Sequence, residues 1–402
     1  MSTVDWRASL SFSDRLASIT RIQVAFQSKA SPESAQETLT RAKATENEAY
    51  RNSASKNIYD VQITSHIKRA EALPLQGTAL QSAGLKHDID CIMDGGIAIG
   101  NYANATHYSD GLFSTVYRAR PQEHGPATDA RRISDIVALK VTQPSTMSAP
   151  HDSKREARIL ALASSQRVIP LLDSFSDRDS RFVMAFPFLQ YDLSQILRRG
   201  PLPAQQAKSI LSDLMGALSH IHSLGIIHRD IKPSNILMRD PLSPALLADF
   251  GIAWMKGDLA SEEADQKILD VGTTCYRPPE LLFGNSRYNE SLDIWAAGCV
   301  AAQVIELGSR TLFDSGDLGS DLALIKSIFE TLGTPDLSVW PEVGGFPDWG
   351  KMAFHEYPPK QWTNVLPDAV DEARDFVVKL VRYESGTRMT PSEALEHPFL
   401  MA

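Results

Sequence analysis

The sequence predicts an α+β chain of two unequal lobes, a small strand-rich one followed by a larger helix-rich one, with a cleft between them. Three observations lead there. Short apolar runs of β type gather at Phe113–Ala119, Ile136–Val141 and Arg181–Phe188, with Pro121, Gly125 and Pro126 in a loop between the first two. Beyond Pro203 the pattern changes: Leu211, Leu214, Met215, Leu218 and Ile221 recur near the helical period until Gly225 stops the run. The chain of 402 residues is also long enough for two or three domains or lobes at roughly 150 residues each.

Taken in order, residues 1–97 read as an N-terminal extension, largely flexible or partly helical, ahead of a first lobe at 98–187 and a second at 188–400. Pro32–Lys56 is rich in Ala, Ser, Glu and Gln and has no sustained apolar stripe, so alone it is expected to bury little. Asp5 and Asp14 count against a transit peptide in Met1–Ala30, and no long apolar run suggests a secretory signal. The net charge of −9, from 40 basic and 49 acidic side chains, argues against a protein that wraps nucleic acid. No run of 18 apolar residues would span a membrane. Cys91, Cys275 and Cys299 are isolated, which supports neither a zinc ribbon nor a disulfide framework. A reducing compartment, cytoplasmic or nuclear, and a monomer are the expectations.

The chemistry concentrates in four places. His228-Arg229-Asp230-Ile231-Lys232-Pro233-Ser234-Asn235 puts Asp230 and Asn235 five apart on one loop, where both can face a bound polyphosphate. A carboxylate there can orient a hydroxyl and accept its proton, and an amide oxygen can ligate magnesium. Lys232 can neutralise charge that builds on a transferred phosphoryl group. Nineteen residues after Asp230 comes Asp249-Phe250-Gly251, behind the apolar run Leu246–Ala248. A carboxylate ending a buried strand needs a cation, and a phosphate-bridging magnesium would supply it, with Gly251 giving the backbone freedom to turn. In Val137–Lys140, Ala138 and Lys140 share one strand face: the small residue leaves room for a flat ring, the lysine reaches phosphate oxygens. Glu156, sixteen residues on, is the natural counter-charge, although one glutamate by itself more often marks a solvated helix face. The turn from Ser109 to Val116 has the single glycine Gly111 to offer backbone N–H groups to phosphate.

In this order the residues resemble the eukaryotic protein kinases over about 98–400, and the resemblance continues through Pro278-Pro279-Glu280, Asp293–Gly298 and Arg388. It implies a bilobal kinase fold, ATP and Mg2+ as cofactors, and a protein substrate. Asp230 and Lys232 would be catalytic, and Asn235 and Asp249 would hold metal. Phe186, Phe188 and Leu189 would form gatekeeper and hinge, Asp192 would meet the ribose, and Leu237 would floor the adenine beside Val116 and Ala138. Glu280 would pair with Arg388, Asp293 would brace the catalytic loop, and Lys232 implies serine/threonine specificity. Leu322–Trp340 and the ending His397-Pro398-Phe399 look like the cyclin-dependent kinase group.

The departures narrow this further. Where cyclin-dependent kinases read PSTAIRE, this chain reads Pro150–Glu156 with Lys154 in place of the apolar anchor, so cyclin is not expected as a partner. The activating phospho-threonine position falls on Ile268, and one of its three reading arginines is replaced by Trp254, leaving Arg155 and Arg229. Glu262, Glu263, Asp265 or Asp270 could stand in for the phosphate, and a merely solvated acidic loop is an equal alternative. Gly272 replaces a valine that shapes the pocket of proline-directed relatives, although Arg277 is kept. The combination resembles the monomeric CDK-activating kinases of fungi, whose substrates are cyclin-dependent kinases. A conventional proline-directed, cyclin-activated kinase and a non-catalytic scaffold remain the rival readings.

Overall fold

The computed structural model describes residues 96–122, 136–316 and 319–401, the helix α1 (Lys56–Ala72) and part of 18–50. The chain divides into two compact units, Met1–Cys91 and Ile92–Ala402. In the first unit Ile22, Ala42, Ala49, Tyr59 and Ile63 are buried together, and the Tyr59 hydroxyl donates to Glu46 Oε1 at 2.8 Å. Within Pro32–Lys56, Ala42 and Ala49 are thus buried against residues from outside that stretch. Ala42 and Ala49 stand one heptad apart, and their small side chains let a neighbour approach without forming a visible apolar stripe.

The second unit opens with six antiparallel strands: β1 (Ile97–Ile99), β2 (Tyr102–Asp110), β3 (Ser114–Pro121), β4 (Val137–Thr142), β5 (Asp173–Ser176) and β6 (Phe182–Pro187). Their order is β1-β2-β3-β4-β6-β5. The predicted strands shift by one or two residues, because Leu112 and Phe113 belong to the β2–β3 turn. Strand alternation sends Leu139 and Val141 into a small core with Val183 and Ala185. Ala138 and Lys140 therefore face the other way, paired in register with Phe186 and Met184. The helix α2 (Ser153–Leu162) lies between β4 and β5 in the chain, and its N-cap Asp152 accepts from the Lys154 and Arg155 amides.

The remainder is mainly helical. The predicted apolar stripe lies on α3 (Ala204–Ser223), and Leu211, Leu214, Met215, Leu218 and Ile221 are all buried. The centre is α4 (Ser291–Ala302), with Leu292 through Ala302 all buried; α5 (Asp321–Leu332) and α6 (Asp371–Leu380) pack into the same core. Five very short strands matter more for the site: β7 (Tyr191–Asp192), β8 (Ile226–Ile227), β9 (Ile236–Met238), β10 (Leu246–Leu247) and β11 (Trp254–Met255). β10-β9-β7 form one ladder and β11-β8 another. The β9–β10 pair brings the loop after β8 beside the loop after β10, and the Ala248 amide donates to the Asn235 carbonyl at 2.9 Å. Behind them Arg388 makes a buried fork on Glu280 at 2.6 and 2.7 Å.

Candidate active site

The first half of the site is assembled by β4, α2 and the turn after β10. Lys140 Nζ donates to Glu156 Oε1 at 2.7 Å and Oε2 at 2.9 Å, and to Asp249 Oδ1 at 2.8 Å. Burial alone would lower the Lys140 pKa, but Asp249 and then Glu156 outweigh it and raise it. Lys140 likewise holds the Asp249 carboxyl well below the usual carboxylate range, against the opposing effect of burial. Both stay ionised, which suits phosphate binding and metal ligation. The backbone freedom expected at Gly251 is exercised at Asp249 instead, which is left-handed with φ 64°. Gly251 has a different use: an added Cβ would lie 3.3 Å from Asp249 Oδ1 and 3.4 Å from Glu156 Oε2. The missing side chain leaves room for the ion pairs.

The second half is the loop between β8 and β9. Asp293, at the start of α4 and fully buried, accepts the His228 amide at 2.8 Å, the Arg229 amide at 2.9 Å and His222 Nε2 at 2.9 Å. These bonds hold the loop while Arg229 adopts φ 69°. They also keep the Asp293 pKa low: burial pushes it up, and the His222 bond leads the groups that outweigh it. Asp230 is then aimed by four donors. Its Oδ2 takes Lys232 Nζ at 2.8 Å and Asn235 Nδ2 at 3.1 Å, and its Oδ1 takes the Thr273 amide at 3.1 Å and hydroxyl at 2.9 Å. Lys232 Nζ also donates to Thr273 Oγ1 at 2.9 Å. Asn235 spends its amide nitrogen on Asp230, which turns its oxygen toward other partners. With Asp249 it makes a pair of hard oxygen donors, the kind that binds a divalent ion whose remaining positions go to water and phosphate.

The residues expected around the nucleotide lie on β3, β4, β6, β9 and the segment after β6. Ala138 is opposite Phe186 across β4–β6, and the Phe188 amide donates to the Ile136 carbonyl at 3.2 Å. The Phe188 ring meets Tyr108 edge-on at 5.1 Å. Leu189 and Leu237 pack against the main core from its partly exposed side. Val116 is paired with both Ser109 and Lys140, which places the covering turn over the lysine. Two expectations change. The Gly111 amide is already committed to the Ser114 carbonyl at 2.7 Å, so phosphate would have to find other donors in that turn. Asp192 Oδ1 caps the helix Leu193–Leu197 through the Gln195 amide at 2.9 Å and the Ser194 hydroxyl, so only its other oxygen remains for a ribose.

Among the acidic residues of the segment after β11, Glu262 is the one that meets Arg229. Its two oxygens lie 3.1 and 3.2 Å from Arg229 Nη1. Arg229 also donates to the Ile252 carbonyl at 2.6 Å and to Tyr288 Oη at 3.1 Å, and the Tyr288 hydroxyl donates to the Ile268 carbonyl at 2.8 Å. Trp254 Nε1 fixes the Glu262 carbonyl at 2.8 Å, and Lys267 lies over the Trp254 ring at 4.7 Å. Asp270 pairs with Arg277 at 2.5 Å instead, while Glu263 and Asp265 are exposed. Arg155 turns to backbone carbonyls, Ala260 at 2.8 Å and Pro150.

Sequence reasoning missed Thr273 as part of the site and Tyr288 as a brace. No local spacing links either one to Asp230 or Arg229, and only the folded path of the segment brings them close.

A protein kinase domain model matches residues 109–400. The chain is 35% identical over 295 residues to the serine/threonine-protein kinase csk1 of Schizosaccharomyces pombe, covering 72% of this chain and 91% of that one. It is 32% identical over 302 residues to cyclin-dependent kinase 20 of Danio rerio, covering 74% and 83%. The Homo sapiens cyclin-dependent kinase 20 is 30% identical over 294 residues, covering 72% and 80%.

Proposed function

We propose, for a chain that belongs to the protein kinase family and within it to the cyclin-dependent-kinase-like serine/threonine kinases, that its substrate is the activation-loop threonine of a cyclin-dependent kinase and that it acts without cyclin. The observation that carries this reading is the Arg229–Glu262 contact at 3.1 Å. A permanent carboxylate occupies the guanidinium that relatives reserve for a phosphate, beside an Ile268 that cannot be phosphorylated. A kinase at the head of an activating cascade needs such self-sufficiency. Lys154 on α2, in place of an apolar anchor, supports independence from cyclin.

In the proposed mechanism β3, β4 and Leu237 would hold ATP, and Lys140 would meet its phosphates. Mg2+ held by Asn235 and Asp249 would neutralise phosphate charge. Asp230 receives the proton of the attacking hydroxyl as the oxygen–phosphorus bond forms and the bond to ADP breaks. Lys232 balances charge on the transferred group. Alignment supplies most of the acceleration, since all five side chains are fixed before substrate arrives. The test is the lone purified chain with an unphosphorylated cyclin-dependent kinase, the modified residue being mapped. Phosphate on the activation-loop threonine, abolished by Asp230→Asn and by Lys140→Met, is the expected result. Phosphate elsewhere would refute the substrate, and activity surviving either substitution would refute the roles.

One observation favours the proline-directed alternative. Gly272 is left-handed at φ 78°, and its carbonyl accepts from Arg277 Nε at 3.2 Å. That carbonyl is then occupied, so the residue after the phosphosite loses one partner for its amide. A peptide array with proline and alanine compared at that position decides between relaxed and strict preference.

A further inference from the structure

We propose that the ion pair between Arg158 and Asp258 is an internal clamp that holds α2, and with it Glu156, against Lys140, so that this step needs no second protein. The proposal rests on the kinase activity of the family and not on which protein is phosphorylated. Arg158 Nε and Nη2 meet Asp258 Oδ2 and Oδ1, each at 3.0 Å. This is the bidentate geometry in which a guanidinium fixes direction as well as distance.

The two ends of the pair belong to different lobes. Arg158 rides on α2 two residues beyond Glu156. Asp258 sits in a turn built on the β8–β11 ladder, where the Lys256 amide donates to the Gly225 carbonyl at 3.0 Å. The turn is rigid at Asp258: Oδ1 also accepts the Ala260 amide at 2.9 Å, the Ser261 amide donates to the Asp258 carbonyl at 3.0 Å, and Ser261 Oγ accepts the Met255 amide at 3.1 Å. The Asp258 side chain is 6% exposed and the Arg158 side chain 48%. An enclosed carboxylate held by its own turn therefore receives a half-exposed cation from α2.

Arg155 and Arg158 are three apart and share one face of α2. Arg155 Nη1 reaches the Ala260 carbonyl at 2.8 Å, and the Asp152 amide reaches the Gly251 carbonyl at 3.3 Å. Three points along α2 thus touch one stretch of chain, 251–260. Glu156, one residue from Arg155, is turned toward Lys140. The half-exposed arginine makes the pair a weak source of global stability, so its consequence should be read in catalysis. Arg158 and Asp258 are positioning residues.

The test is reciprocal charge reversal in the full chain without added partner, with kcat and ATP KM measured on a generic serine/threonine peptide alongside thermal melting. Arg158→Glu and Asp258→Arg are each expected to lower kcat at least about tenfold, and the double reversal to recover part of it, as directly coupled sites do, the Ala260 amide bond to Asp258 remaining lost. Arg158→Ala, at a half-exposed helix position that keeps the fold, should lower kcat about threefold with little change in melting temperature. Single reversals that leave kcat intact, a double reversal no better than the worse single, or an Arg158→Ala variant that melts earlier at unchanged kcat would each overturn the clamp. Because the peptide is generic, an error in the proposed physiological substrate leaves these outcomes unaffected.

Discussion

Replacing Glu262 with glutamine keeps its shape and removes its charge, which isolates what the carboxylate does for Arg229. Arg229 is 1% exposed and keeps two partners in the variant, the Ile252 carbonyl at 2.6 Å and the Tyr288 hydroxyl at 3.1 Å. The loss is therefore one charged hydrogen bond and not a fully orphaned cation, about 2 kcal/mol within the usual range for such bonds. At 1.36 kcal/mol per factor of ten, that shifts the balance between the ordered and displaced segment by roughly 30-fold. Thr273 lies on the same segment and touches Asp230 directly, so displacement also disorders the catalytic carboxylate. Steady-state kinetics of Glu262→Gln should show kcat reduced by roughly 10- to 30-fold and peptide KM raised. ATP KM should rise less than peptide KM, because Lys140, Glu156 and Asp249 lie outside the segment and feel its displacement only through the contacts of α2 with 258–260. A glutamine variant within twofold of wild-type kcat would show that the carboxylate does not stand in for a phosphate.

Arg388→Ala strands Glu280, whose side chain is 1% exposed, at a cost of about 3–5 kcal/mol. Calorimetry should show a fall of roughly 6–10 °C in melting temperature, and a fall below about 2 °C would mean the pair is already hydrated. Alkaline stability provides a third check. Burial raises the Cys275 thiol from 9.0 to about 11 and the Tyr288 phenol from 10.0 to about 12. Both folded values lie above the unfolded ones, so the favourable contribution is complete below pH 9 and is lost as pH rises toward 11 and 12. Cys275→Ala should flatten the decline in melting temperature between pH 9 and 11; an unchanged slope would exclude the thiol. Gly272→Val should destabilise by about 1–3 kcal/mol, because the position is left-handed and a Cβ would meet the Arg229 carbonyl at 2.9 Å. Denaturant unfolding at wild-type midpoint would refute that strain.

The sequence was most informative where chemistry and spacing are both local. Asp230 and Asn235 are five residues apart on one loop, and a short loop confines both side chains to one side. Lys140 and Ala138 are separated by the strand period. Glu156 is the one acidic residue of α2 and was already legible as the counter-charge to Lys140, whereas Glu262 needed the fold to select it, because four acidic residues were equally eligible. Thr273 and Asp258 carried no signal, since their partners lie 43 and 100 residues away and neither sits in a periodic element. The left-handed backbone at Asp249 carried no sequence signal, since a glycine two residues on is the more obvious place for a turn. In the N-terminal unit two alanines a heptad apart were too small to register as an apolar face.

The turn between Met255 and Glu262 joins the two devices. Asp258 at one end holds α2, Glu262 at the other holds the catalytic loop through Arg229, and Ser261 ties them together through bonds to Asp258 and Met255. Trp254 anchors Glu262 by its backbone carbonyl and leaves its charge to Arg229. A phosphate carries up to twice the charge of a carboxylate and can grip several arginines at once. One glutamate meets Arg229 here, while Arg155 bonds the backbone carbonyls of Ala260 and Pro150. If that division of labour is correct, Glu262→Gln and Asp258→Asn disturb the same folded turn and their effects on kcat should be less than multiplicative. Strictly multiplicative losses would mean two independent supports.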